Sequence, residues 1–251
     1  MRAVLALLFY SLASPALAIV GGAPEAPTAP RSTVMIVGSG GTFCTGTAVA
    51  RDLVLTAAHC VLPGAVYKLI EFDRQHQPIL LDTGEIARHP LFNLQTLFAH
   101  RATADVALIR MRAPLPAAIA PTRLAAPRVP PSPGDHYSVL GYGLAVRGDD
   151  RTSGTLRRAD LVATGKPGNL QIRLVDPATN GESPGLGACT GDSGAPVFAG
   201  GSSAEIIGVV SWSTGPKLSG GCGGLTGVTP LVLYKEWILQ TARRMGSPLA
   251  P

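Results

Sequence analysis

The chain has 251 residues, 46% hydrophobic and only 15% charged, which is enough apolar material for one large or two small cores and excludes a disordered polypeptide. Its net charge of +5 comes from scattered lysines and arginines with no basic run interleaved with aromatics, so nucleic-acid binding is not expected. The 30 glycines and 22 prolines follow no repeat and point to short strands joined by turns rather than to long helices.

In chain order, the first feature is a secretory signal over residues 1–18. Arg2 is a minimal basic start, 4–12 is a short apolar stretch, and Ala16, Leu17 and Ala18 place small residues where a signal peptidase cuts. The stretch is shorter than the roughly 20 residues that span a bilayer. No later segment is apolar enough to span either, so the mature protein is expected to be secreted, extracellular or periplasmic, with no membrane anchor after processing. Four cysteines in an exported chain allow two disulfides in any of three pairings.

Short apolar or alternating runs follow at 33–37, 42–50, 53–57, 66–72, 79–86, 106–111, 137–140, 171–175, 196–198 and 206–212, without amphipathic helices between them. That pattern predicts an all-β fold, an antiparallel sandwich or barrels. A proline-dense segment, 114–133, divides the chain almost in half and reads as a linker. One helix is expected at the end. Thr229 would cap it, Pro230 would take its first position, and Leu231, Tyr234, Ile238, Ala242 and Met245 would share a face.

Three segments carry chemistry jointly that none carries alone. His59 follows Thr56, Ala57 and Ala58 and precedes Cys60; Asp105 opens an apolar run; Ser193 stands in Gly191, Asp192, Ser193, Gly194, Ala195, Pro196. Together with Ile19-Val20-Gly21-Gly22, Gly141-Tyr142-Gly143, Ser211-Trp212 and Trp237-Ile238, they resemble the trypsin/chymotrypsin family of secreted serine proteases over essentially the whole mature length. The resemblance implies two antiparallel six-stranded barrels with the active site between them and a C-terminal helix. The expected division is 19–125, with His59 and Asp105, and 126–251, with Ser193 and the helix.

The same resemblance implies the roles. Ser193 is the nucleophile, His59 the base that takes its proton, and Asp105 the group that orients His59, with Ser211 behind it. Backbone N–H groups of Gly191 and Ser193 form the oxyanion hole. Cys44 pairs with Cys60 and Cys189 with Cys222. A freed Ile19 ammonium pairs with Asp192, and Ala18 stands directly before Ile19 with no activation peptide between.

By the same resemblance, the specificity pocket is expected at Gly187, Ala188, Ser211, Trp212, Ser213 and Gly227. No carboxylate stands at Gly187, so cleavage after uncharged residues is expected, since an unpaired buried guanidinium is costly. The insertion 214–221 adjoins this pocket, and Lys217 is taken as a solvated lysine. Glu71, Asp82 and Glu85 make no matched calcium set, so no metal and no cofactor is expected. His76, His89, His100 and His136 lack motif context. Protein or peptide substrates, protein inhibitors and a monomeric state are the expected associations. The competing reading is a catalytically silent binding protein on the same fold.

Overall fold

Short runs rich in Val, Ile, Leu and Thr give the first half its strands, several of them buried on both faces. In a computed structural model, residues 19–29, 31–72, 75, 77–125, 131–165, 170–200 and 205–250 are described. The expected signal segment, His76 and residue 126, where the expected division falls, lie outside the described residues.

The first half runs β1 (Thr33–Gly38), β2 (Phe43–Ala50), β3 (Leu53–Thr56), β4 (Tyr67–Phe72), β5 (Pro78–Arg88), a short helix α1 (Leu94–Phe98) and β6 (Ala107–Met111). These six strands close antiparallel in the order β1-β2-β3-β6-β5-β4. The second half runs β7 (Arg123–Leu124), β8 (His136–Gly141), β9 (Arg157–Ala163), β10 (Ile172–Val175), β11 (Pro196–Ala199), β12 (Glu205–Ser213), β13 (Thr226–Pro230) and helix α2 (Lys235–Arg244). Here β11-β8-β9-β10-β13-β12 closes through the β11–β12 pairing, while β7 adds to β12 in parallel. The chain is therefore an all-β protein of two six-stranded antiparallel barrels with a C-terminal helix.

Each barrel has its own core, around Ile36, Val54 and Ile109 in the first and Val139, Leu161 and Val197 in the second. A third cluster joins them. Leu53, Leu55 and Leu108 from the first barrel meet Leu140, Phe198 and Val209 from the second, and Ile238 and Ala242 of α2 close over the seam. Beyond α2, Ser247 bonds Asp52, which also pairs with Arg110, so the C-terminus is tied to the first barrel.

Three local expectations need correction. The terminal helix starts at Lys235 and not at Pro230, because Thr229 and Pro230 finish β13 and pair with Val209 and Gly208. Sheet pairing outweighs the local N-cap signal there. Strand β9 was not expected, although its buried positions alternate from Arg157 through Ala159 and Leu161 to Ala163; Arg158 and Asp160 mask the pattern in sequence. Helix α1 was not expected either, and Asn93 caps it by accepting from the Thr96 amide at 2.9 Å.

Phe198 is fully buried at the seam. Phe198→Ala is expected to cost about 3–5 kcal/mol, read as a fall in the urea midpoint, while Leu91→Ala at an exposed position should stay within about 0.5 kcal/mol.

Candidate active site

Strand pairing brings the marked residues to one place. β3 and β6 are antiparallel neighbours with Thr56 opposite Ala107, so His59, just past β3, and Asp105, just before β6, share one end of the first barrel. In the second barrel Pro196 opposes Val209, which brings Ser193 and Ser211 to a common end as well.

Asp105 is fully buried and accepts three hydrogen bonds. The His59 amide donates to Oδ1 at 3.0 Å, His59 Nδ1 lies 2.8 Å from Oδ2, and Ser211 Oγ donates to Oδ2 at 2.6 Å. A carboxylate only accepts, so this network assigns the ring proton to Nδ1 and leaves Nε2 free to accept. The Asp105 charge also reaches Tyr234, whose hydroxyl is pushed up chiefly by burial and further by that charge.

Ser193 sits on a loop held against the first barrel. Its carbonyl accepts the Thr45 amide at 2.8 Å, and Thr45 Oγ1 donates to the Gly191 carbonyl at 2.8 Å. The Cys60 sulfur lies 3.6 Å from the Ser193 carbonyl oxygen and 3.9 Å from His59 Nε2, so it touches both. Cys60 is bonded to Cys44, and Cys189 to Cys222. Gly191 has φ +95° with the Phe43 ring and Gly143 packed against it, a conformation and a space that exclude a side chain. Thr45 was not expected to matter: nothing in sequence marks a strand threonine as the brace of a loop 146 positions away.

Behind the loop, Asp192 is a second fully buried carboxylate. Its oxygens accept the amides of Gly143, at 2.8 Å, and Cys189, at 2.9 Å. A Cβ at Gly141 or Gly143 would strike this carboxyl, which explains the two glycines flanking Tyr142. Burial raises the Asp192 carboxyl to about 7 against the pull of those amides. Ile19 is also fully buried, in the same core cluster as Val139, Ala188 and Ala195, and Val20 bridges to Gly187.

At the positions expected to form the pocket, Gly187 packs against Gly223 and Thr226, and the Ala188 amide donates to Thr226 Oγ1 at 3.0 Å. Ser213 Oγ donates to the Gly221 carbonyl at 3.5 Å, and Gly227 lies against the Trp212 ring. The insertion folds back on itself, with the Gly215 amide on the Ser219 carbonyl and Arg147 Nη1 on Gly220 O at 2.9 Å. A buried carboxylate nearby, Asp176, has its oxygens taken by the amides of Ala178 and Leu186.

His89 packs on Tyr234 and Trp237 and is a helix-docking residue, its pKa lowered by burial. Asp82 pairs with Lys68 at 2.7 Å. Among the described residues a His/Cys cluster lies at ligand spacing, Cys44, His59 and Cys60, but its sulfurs are joined in a disulfide.

Comparison with known proteins places these observations. The family model described as Trypsin matches residues 19–238. The snake venom serine protease rhinocerase 4 of Bitis rhinoceros is 26% identical, covering 88% of this chain and 86% of that protein. Serine protease 1 of Canis lupus familiaris is 28% identical over 81% of each, and the vitellin-degrading protease of Bombyx mori 29% identical over 88% of this chain and 90% of its own. Neuropsin, a serine protease expressed in the limbic system of mouse brain, superposes with a TM-score of 0.68 at 23% identity, covering 89% of this chain and 99% of that structure.

The uncut chain gives a test of Asp192. Its carboxyl titrates near 4 when unfolded. Between about pH 4 and about 7 the folded group keeps a proton that the unfolded one has lost, so its contribution to stability is complete below 4 and lost as pH rises through about 7. Urea unfolding of uncut Ser193→Ala protein, compared with its Asp192→Asn counterpart, should show that slope in the first and not in the second.

Proposed function

The chain belongs to the trypsin family of serine-type peptidases, and we propose that it is a secreted endopeptidase whose triad is His59, Asp105 and Ser193. The observation that carries this reading is the fully buried Asp105 receiving both His59 and Ser211, with the Ser193 loop seated alongside. Ser193 Oγ attacks the substrate carbonyl as His59 Nε2 takes its proton. The Gly191 and Ser193 amides stabilise the oxyanion, and His59 returns the proton to the leaving amine. Water then attacks the acyl-enzyme by the same relay in reverse, releasing the acid and restoring Ser193.

Activation follows from Asp192. A cut between Ala18 and Ile19 frees an ammonium that pairs with this buried carboxylate, and removal of the export signal is then also the activating step. The pairing is supported by a carboxylate held by two amides and raised by burial, beside a core that already contains Ile19.

Preference for uncharged residues before the scissile bond is supported by Gly187, which presents no side chain and so no carboxylate at the expected pocket base. Substrates are proteins or peptides.

A fluorophosphonate should label the processed protein and not Ser193→Ala, and Asp105→Asn should slow labelling by about 10⁴-fold, the loss typical of such triads. Failure of the processed wild type to label would favour a silent binding protein. In a separate test, one extra residue left before Ile19 should abolish most activity, and full activity with that extension would remove the ion pair from the account. In a peptide-library digest, dominant cleavage after Arg or Lys would overturn the neutral pocket.

A further inference from the structure

Next to Ser211, the strand β12 has an open edge. Its residues Trp212 and Ser213 pair with β13 on one side, while on the other the last strand residue with a backbone bond among the described residues is Val210, whose amide donates to the Ala195 carbonyl at 2.9 Å. An extended peptide can add to such an edge through main-chain bonds, its side chains then meeting whatever flanks the strand. What flanks it here is Trp212, 8% exposed, with two cationic or protonatable groups on its ring. The His100 imidazole stacks on it at 4.8 Å between centroids and 22° between planes, and the Arg173 guanidinium carbon lies 5.5 Å from the centroid.

Three further features single out this group. Gly227 leaves the ring no space on its side, since a Cβ there would collide with the indole. His100 is exposed yet holds a left-handed backbone, φ 50°, sparsely populated by residues with a side chain. The Trp212 indole N–H is buried and unpartnered among the described residues, a donor that proteins seldom leave unmet. Neither His100 nor Arg173 is ion-paired among the described residues; Arg173 Nε only reaches Gln171 Oε1 at 3.5 Å.

We propose that His100, Trp212 and Arg173 form a specificity subsite that takes an acidic substrate side chain two to four residues ahead of the scissile bond. The carboxylate accepts from the guanidinium and the imidazole, and a tilt of the exposed His100 side chain admits it to the indole N–H. The side chain's methylenes lie on the ring. This rests on the endopeptidase reading and adds a second determinant to a pocket that is itself neutral.

The test uses processed protein and fluorogenic peptide amides with Glu, Gln or Lys placed in turn two, three and four residues before the cut, all with the same uncharged residue at the cut. At one of these positions Glu should exceed Gln by about tenfold in kcat/KM, carried mainly by KM, as for a half-buried charge-assisted bond. Lys should fall below Gln. Arg173→Met and, independently, His100→Ala should bring the Glu-to-Gln ratio toward one, and Arg173→Lys should restore part of it. Equal rates for Glu and Gln at all three positions, or a ratio untouched by both substitutions, would overturn the subsite. Fluorophosphonate labelling of the same samples separates the two levels. Labelling without a Glu preference sinks the subsite alone, and no labelling of the wild type sinks the endopeptidase reading with it.

Discussion

Burying a carboxylate among apolar groups is costly unless hydrogen-bond donors replace the lost water. Asp105 meets that condition with donors from both barrels: the His59 amide and ring from the first, and the Ser211 hydroxyl from the second. The barrels can therefore satisfy this group only when docked in one orientation. The same docking seats the Ser193 loop on Thr45 and closes the apolar seam under α2. The polar junction sets the geometry, and the seam, with Phe198, Leu55 and Ile238, contributes the stabilising burial.

Asp192 has a different balance. Two backbone amides and a cradle of glycines receive it, but no cation among the described residues does, and burial raises its pKa to about 7. Asp105 is a finished site in the uncut chain, whereas Asp192 is an unfinished one. In the proposed scheme the difference becomes regulation: proteolysis supplies the missing charge, and the loop carrying Gly191 and Ser193 is held by what then forms behind it.

The fold was legible because barrel strands advertise themselves through alternation and turns, and because the His59, Asp105 and Ser193 segments are specific in combination. The disulfide partners followed from the resemblance and are the pairs that form. What sequence hid lies in long-range packing. Strand β9 was masked by charged residues on its solvent face, and the helix start was misplaced because Thr229 and Pro230 carry a cap signal that β-pairing overrides. Thr45, His100 and Arg173 lie far in sequence from the groups they touch, at Gly191 and Trp212. An isolated histidine on a loop carries no local mark of the ring it will stack on.

The central claim is that Asp105 fixes His59 with its proton on Nδ1, leaving Nε2 to serve Ser193. Nitrogen-15 NMR of labelled His59 in the processed protein, at a pH where the ring is neutral, tests this directly. The account predicts a protonated Nδ1 and a bare Nε2, with that preference weakened in Asp105→Asn. A neutral ring carrying its proton on Nε2 in the wild type would contradict it.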